Sequence, residues 1–148
     1  MGNWRKGQYT VVNPDKYLGD PDNVIYRSSW ELEAFKKLDL HPDVIAWASE
    51  EIRIPYPKPG MDGISYTRGM YTPDLFVVKR NNEGKIDREL IEIKPHKQTM
   101  PSKARKPMVR LQEQYQYEVN RHKWAAAEDW CKQYGIVFRI LSEKDMFF

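Results

Sequence analysis

The chain has little cysteine and no long apolar run, and each absence excludes a class of protein. Its 148 residues contain one cysteine, Cys131, so no intramolecular disulfide framework can form, and a lone thiol is typical of a reducing cytosol. A membrane-spanning helix needs about 20 consecutive apolar residues, and neither such a run nor a secretory leader is present. The sequence therefore predicts a soluble intracellular protein with no membrane partner.

Internal repeats and low-complexity segments are also absent. The chain is 41% hydrophobic and 13% aromatic, which is enough apolar material for the core of one globular domain. The net charge is only +3, yet basic residues concentrate in one segment, at Lys97, Lys103, Arg105, Lys106, Arg110, Arg121 and Lys123. This excess indicates either a surface that faces a polyanion or a solvated helix face.

The beginning of the chain differs in pattern from the rest. Residues 1–26 are punctuated by proline and glycine and show no periodicity, which predicts an irregular N-terminal arm laid over a domain at residues 27–148. The domain opens with a helix that Ser28 or Ser29 caps. Its apolar residues share one face, namely Trp30, Ala34, Phe35 and Leu38.

Beyond this helix the hydrophobic pattern predicts three strands, a long helix and a last strand, at residues 50–57, 71–79, 86–94, 108–134 and 136–141. The polar turn from Asn81 to Gly84 joins the second and third strands, and Gly135 ends the long helix. This order predicts an α/β fold, a single domain with a central mixed sheet flanked by helices.

Two short motifs in the predicted hairpin can carry chemistry. The chain has four Pro-Asp pairs and two Glu-x-Lys triplets, but only Pro73-Asp74 leads into an apolar strand and only Glu92-Ile93-Lys94 ends one. Residues two apart in a strand share a face, so Glu92 and Lys94 lie side by side. Antiparallel pairing through the turn places Asp74 across from Glu92 or Lys94.

Two carboxylates at one end of a sheet suit Mg²⁺, which takes oxygen ligands and keeps several waters. The ion would polarise a phosphate and lower the pKa of an attacking water, and Lys94 would position or deprotonate that water. The same residues fit a simpler interpretation, in which Pro73-Asp74 is a turn and Glu92 and Lys94 form a solvated ion pair.

Glu31 has two interpretations as well. It follows Ser28 by three residues at the start of the first helix. This is the spacing of a capping box, in which the glutamate accepts a hydrogen bond from the backbone N–H of the capping serine. Alternatively, Glu31 is a third acid of the same centre.

The order of helix Glu, strand Pro-Asp and strand Glu-x-Lys resembles that of the PD-(D/E)XK nuclease superfamily. The segments "RSSWE", "YTPDLFVV" and "LIEIKP" are similar to the motifs of TnsA endonucleases and phage Holliday-junction resolvases. A longer likeness, to the head-completion nucleases of T-even-type tailed phages, extends from Asn13 to Asp145 and includes "NPDKYLGDPDNVIYRSSWE" and "NRHKWAAAEDWCKQYGIVFRILSEKD". The Gln-x-x-x-Tyr helix motif of RecB-type members is missing.

The resemblance implies a restriction-endonuclease-like fold and a DNA nuclease that depends on Mg²⁺, with Mn²⁺ as a substitute. Carried over by position, Asp74, Glu92 and Glu31 are metal ligands, and all three are catalytic together with Lys94. The resemblance further implies endo- or exonuclease action during head completion and head–tail joining, and partners such as the portal. It implies a place in the cytoplasm of the infected host or as a minor virion component.

Two other classes of function stay open on the sequence alone. A structural adaptor of the phage head and neck would keep the fold without any catalysis. A DNA-binding module would instead hold DNA through the basic segment at residues 95–123, with an affinity that falls steeply with salt.

Overall fold

In the computed structural model, which describes residues 6–145, two α-helices and eight strands follow one another along the chain. The helices are Ser29–Leu40 (α1) and Pro107–Tyr134 (α2). The strands are Gly7–Gln8 (β1), Ile25–Tyr26 (β2), Val44–Ser49 (β3), Ile54–Pro59 (β4), Tyr66–Tyr71 (β5), Leu75–Arg80 (β6), Ile86–Ile93 (β7) and Val137–Leu141 (β8). No helix within this range is long and apolar enough to cross a bilayer.

Four strands form the central sheet, in the order β3, β6, β7, β8. The first three pair antiparallel, whereas β7 and β8 are parallel, because α2 carries the chain back between them. On one face, Phe35 of α1 packs with Leu75 and Ile91. On the other, Ala127 of α2 packs with Leu90. The predicted mixed sheet flanked by helices is confirmed.

The edge strand β3 was not predicted. It pairs with β6, and its adjacent residues Trp47 and Ala48 are both buried. Neighbouring residues in a strand point to opposite faces, so β3 is covered on both sides. It therefore lacks the alternation of apolar and polar residues by which a half-buried strand is recognised.

The predicted strand at residues 50–57 begins later, as β4, and lies outside the central sheet. It pairs with β5, from Ile54 opposite Tyr71 to Pro59 opposite Tyr66, in a separate hairpin that packs on α2. The sequence did not predict β5, because only Tyr71 of its six residues is buried. Five strands, rather than the predicted three, thus separate α1 from α2 among the described residues.

Helix α2 ends at Gly135, whose left-handed φ of 67° makes it the predicted C-cap. The sequence predicts one apolar stripe along this helix, formed by Leu111, Tyr115, Val119, Ala126 and Trp130. This prediction is wrong at the start of the helix, because residues 107–114 are all exposed and Leu111 is 57% accessible. The buried residues begin at Val119 and include Ala127 and Cys131. The middle of the helix, and not its start, therefore covers the sheet.

Residues 6–26 contribute to the core on the α1 side of the sheet. Tyr9, Tyr17 and Val24 are buried with Trp47, and the Tyr17 ring meets the Trp47 ring edge-on at 4.8 Å. The segment also contains the paired strands β1 and β2 and a short 3-10 helix, so it has more regular structure than the sequence predicts. Positions 1–5 of the predicted arm and 146–148 of the predicted domain lie outside the described residues.

Asp39 of α1 ties this segment to the domain and is completely buried. Its carboxylate accepts hydrogen bonds from the Tyr9 hydroxyl at 2.6 Å and from the backbone N–H groups of Val12 and Asn13 at 2.7 and 3.1 Å. Asp39→Ala leaves three donors without their acceptor, so we expect the free energy of unfolding to fall by about 3 kcal/mol. Chemical denaturation measures the change, with the exposed Asp43→Ala as control. A loss below about 1 kcal/mol would contradict this assignment.

Candidate active site

Asp74 and Glu92 stand at the same end of the neighbouring strands β6 and β7. These strands pair antiparallel with Leu75 opposite Ile91, so the register, continued by one residue, sets Asp74 opposite Glu92. The Asp74 carboxylate accepts a hydrogen bond of 2.6 Å from the backbone N–H of Ile93. The hairpin thus has the register that the sequence predicts.

Glu92 is buried, and both of its carboxylate oxygens have partners. The Tyr71 hydroxyl donates a hydrogen bond to Oε1 at 2.9 Å, and Lys94 Nζ lies 3.5 Å from Oε2. The Lys94 side chain is only 23% exposed. The pair of Glu92 and Lys94 is therefore largely withdrawn from water, unlike the solvated ion pair of the simpler interpretation.

The charges at this position act on one another. Burial raises the pKa of the Asp74 carboxyl well above its ordinary value, and the negative charges of Glu92 and Glu31 raise it further. The hydrogen bond from Ile93 and the positive charge of Lys94 oppose this shift. Buried carboxylates repel one another, and a bound cation relieves this repulsion. The arrangement of Asp74, Glu92 and Glu31 therefore favours the binding of a cation.

Glu31 approaches the same centre from the start of α1. Ser28 is the N-cap, and its hydroxyl accepts a hydrogen bond of 3.2 Å from the Glu31 N–H. The Glu31 carboxylate in turn accepts one of 3.4 Å from the N–H of Arg27 instead of Ser28, so only half of the predicted capping box forms. Burial raises the pKa of Glu31, and the charges of Glu50 and Glu92 add to that shift. The Glu31 N–H is thus capped by Ser28, while the Glu31 carboxylate lies within the electrostatic field of the centre.

Glu50 is a fourth acid near the centre, and the sequence did not predict it. It follows β3 with a left-handed φ of 55°, which is uncommon for a residue other than glycine. Its N–H donates to the Asp74 carbonyl at 3.1 Å, and its carboxylate forms an ion pair with Arg27. Because β3 was not predicted, no signal in the sequence placed Glu50 beside Asp74.

The donor set fits a divalent cation that keeps part of its water shell. Among residues 6–145, no three side chains of His, Cys, Asp or Glu are grouped so that they could hold a metal ion. Mg²⁺ needs only one or two carboxylates, because waters and substrate phosphate oxygens complete its shell. Asp74 and Glu92 supply such a pair, and Glu31 does not complete a three-ligand group with them.

Helix α2 adds a positive charge that the sequence did not place at the centre. Lys123 Nζ lies 5.9 Å from the ring centroid of Tyr56 and 5.6 Å from that of Tyr71. A signal was available, because Lys123 stands four residues after the buried Val119 and four before the buried Ala127. A lysine in the buried stripe of a helix is unusual and indicates a specific environment.

Tyr71 connects the β4–β5 hairpin to the centre, so Tyr71→Phe tests the role of that contact. Without the hydroxyl, Glu92 loses one of its two partners, and we expect a reaction that depends on this carboxylate to slow about tenfold. Steady-state assays of the DNA cleavage that the sequence predicts measure this change, with Tyr66→Phe in the same hairpin as control. Equal rates for the parent and Tyr71→Phe would show that the hydroxyl does not orient Glu92.

Paired strands that bring two carboxylates and a lysine together, in an α/β domain with a mixed sheet, define a nuclease of the PD-(D/E)XK class. The chain belongs to the TnsA-like endonuclease family, whose N-terminal domain model matches residues 41–143. It is also 36% identical over 145 residues to the head completion nuclease of Enterobacteria phage T4, a match that covers 93% of this chain and 90% of that protein. The resemblance of the motifs is confirmed, and the protein is a nuclease whose family implies a DNA substrate.

Proposed function

We propose that the protein hydrolyses phosphodiester bonds of DNA with a bound divalent cation, Mg²⁺ or Mn²⁺, at the centre formed by Asp74, Glu92 and Lys94. The observation that carries this proposal is the β6–β7 hairpin. It fixes the Asp74 carboxylate 2.6 Å from the Ile93 nitrogen in β7 and sets Lys94 Nζ 3.5 Å from Glu92. Acid, acid and amine thus share one end of the sheet.

Each side chain has a separate role in this proposal. Asp74 and Glu92 would hold the cation, and Glu31 at the start of α1 adds negative charge that attracts it. When bound, a divalent cation supplies positive charge that polarises the scissile phosphate and lowers the pKa of an attacking water. Lys94 orients that water and neutralises charge that develops on the phosphate in the transition state. Tyr71 keeps the Glu92 carboxylate in the orientation in which it would hold the cation.

The name of the phage T4 relative suggests where the reaction takes place. We propose that the nuclease trims packaged DNA during head completion, so that heads can join tails. In this proposal the nuclease contacts portal and neck proteins and acts in the cytoplasm of the infected host. A few copies of it remain in the virion. In this proposal residues 27–148 form the nuclease domain and residues 1–26 are its N-terminal arm, of which residues 6–26 pack on the domain.

A cleavage assay on circular and linear DNA tests the activity. We expect the parent protein to degrade DNA with Mg²⁺ or Mn²⁺ and to leave it intact with EDTA. Cleavage of linear DNA alone would indicate an exonuclease, whereas cleavage of circles requires an endonuclease. Full activity in EDTA would contradict the proposed dependence on a cation.

The chain offers a matched control for the acidic residue. Glu92→Ala should leave the substrate intact, whereas Glu83→Ala should cleave like the parent. Glu83 belongs to the other Glu-x-Lys triplet, which occupies the exposed turn between β6 and β7. Loss of activity in both variants would show that the effect does not depend on the centre.

The alternative function is that of a structural adaptor in the phage head, which needs the fold but no catalysis. Complementation of a phage that lacks the protein separates the two functions. Infectious particles from a Lys94→Ala chain would favour the adaptor, and their absence with an intact fold would favour the nuclease.

A further inference from the structure

Lys123 occupies a position in α2 that an apolar residue would normally fill. Val119, Ala127 and Cys131 are buried, and Lys123 continues their spacing of four residues along the same face. Its Nζ lies 5.9 and 5.6 Å from the ring centroids of Tyr56 and Tyr71. The ammonium group is therefore held against the inner side of the β4–β5 hairpin, where that hairpin meets the sheet.

Among residues 6–145, Lys123 forms no salt bridge, unlike Lys94, which pairs with Glu92. Burial lowers the pKa of Lys123 and the positive charge of Lys94 lowers it further, whereas the negative charge of Glu92 opposes this shift. Two aromatic rings offset only part of the free-energy cost of withdrawing an ammonium group from water. An anionic ligand bound beside Lys123 would offset the remaining cost.

The two tyrosine rings of the β4–β5 hairpin that face Lys123 have fixed positions. A Cβ atom added at Gly69 would lie 2.5 Å from the Tyr56 ring, which is far inside van der Waals contact, so the absence of a side chain at Gly69 leaves room for that ring over β5. The Tyr71 ring is fixed by the hydrogen bond from its hydroxyl to Glu92. Both rings that face Lys123 are thus held in place by contacts of their own.

The position of Lys123 relative to Glu92 distinguishes it from Lys94. Lys94 lies beside Oε2 of Glu92, whereas the Tyr71 hydroxyl is bound to Oε1, and Lys123 faces the ring of that tyrosine. The exposed Lys58 of β4 is close enough to act on the charge of Lys123. Lys58 and Lys94 therefore both lie within electrostatic range of Lys123, and Lys94 also acts on the acidic pair.

We propose that Lys123 binds the DNA backbone phosphate next to the scissile bond, an inference that rests on the nuclease function proposed above. Lys94 acts at the scissile phosphate, and Lys123 binds the adjacent phosphate of the same DNA strand. This phosphate carries its charge before, during and after the reaction, so Lys123 binds ground state and transition state equally. Such uniform binding lowers KM and leaves kcat unchanged.

Kinetics with Mg²⁺ test the proposal in Lys123→Gln, with Lys132→Gln as the matched control. Lys132 is exposed on the same helix, nine residues further along and hence on the opposite face. We expect Lys123→Gln to raise KM about tenfold with kcat unchanged, because a charged hydrogen bond to the phosphate is lost. Lys132→Gln should match the parent, and Lys123→Arg should keep most of the affinity because it keeps the charge.

DNA binding in EDTA gives a readout that does not depend on cleavage. The slope of log Kd against log salt concentration should decrease by about one in Lys123→Gln and stay unchanged in Lys132→Gln, since each neutralised phosphate contributes about 0.9 to the slope for duplex DNA. Thermal unfolding confirms that each variant is folded. If the parent cuts no DNA, the proposed function fails, but this slope still tests the phosphate contact.

Three results would overturn the inference. A fall in kcat at unchanged KM would show that Lys123 only supports the position of Tyr71 and Glu92. Equal effects of Lys123→Gln and Lys132→Gln would show a general effect of charge. If both KM and the slope of log Kd against log salt concentration were unchanged in Lys123→Gln, Lys123 would not contact the DNA.

Discussion

We expect Asp74→Asn to cleave DNA at least about a thousandfold more slowly than the parent and, in EDTA at neutral pH, to unfold at a higher temperature. The loss of activity follows because an amide is a poor ligand for a divalent cation and carries no charge to hold one. The gain in stability follows from the same substitution, because it removes a carboxylate that Glu92 and Glu31 repel. Asparagine also keeps an oxygen that can accept the hydrogen bond from Ile93.

The pH dependence of this gain has a definite sign. An aspartate in an unfolded chain titrates near pH 4. Folding raises the pKa of Asp74 through burial and the charge of Glu92, so the parent loses stability as the pH rises from about 4 through the folded pKa. The difference in stability between Asp74→Asn and the parent should therefore be small below about pH 4 and complete once the pH has passed that folded value.

Thermal unfolding in EDTA between pH 3.5 and 8 checks this sign, with the exposed Glu83→Gln as a control for general loss of negative charge. Added Mg²⁺ should then raise the unfolding temperature of the parent more than that of Asp74→Asn, since only a folded state that binds the ion gains from it. A variant less stable than the parent at neutral pH would show that Asp74 does not carry the expected repulsion. An Asp74→Asn protein that still cleaves DNA at the parental rate would show that Asp74 has no role in catalysis.

We expect Lys94→Met to slow cleavage about a hundredfold or more while the protein still binds DNA. Methionine keeps much of the apolar stem but removes the ammonium group, so the transition state loses a positive charge that lies 3.5 Å from Glu92. Because that charge is needed most as the phosphate becomes more negative, the loss should appear in kcat and not in KM. This distinguishes Lys94 from Lys123, whose expected effect is confined to KM.

The control for Lys94 is Lys85→Met in the exposed turn triplet, which should cleave like the parent. Lys94→Met also leaves Glu92 with Tyr71 as its remaining partner, so we expect a loss of about 1–2 kcal/mol in the free energy of unfolding. Assays well below the unfolding temperature keep this loss from affecting the rates. A Lys94→Met protein with unchanged kcat would contradict the role given to the lysine.

The part of the centre that the sequence predicts is the part that a short hairpin builds. Asp74 and Glu92 are joined by two strands and one polar turn, so counting from the turn gives their register. Lys94 follows from the two-residue repeat of a strand. Local geometry is enough for all three.

The rest of the centre depends on contacts between distant segments. Glu50 is placed by the edge strand β3, which lacks polar alternation because it is buried on both faces, and Tyr71 is placed by the mostly exposed β5. Lys123 reaches the centre only because α2 packs on the β4–β5 hairpin. No local pattern predicts which strand a segment pairs with, or which hairpin a helix covers.

The parallel pairing of β7 with β8 has a consequence for the order in which activity appears. The Lys94 N–H donates to the carbonyl of Leu141 at 2.9 Å, so the strand that carries Glu92 and Lys94 stays an open edge until residues 137–141 have been synthesised and docked. Pairings between segments so far apart form slowly. An incomplete chain therefore lacks the strand that closes this side of the centre, and we expect full activity only once residues 137–141 have docked.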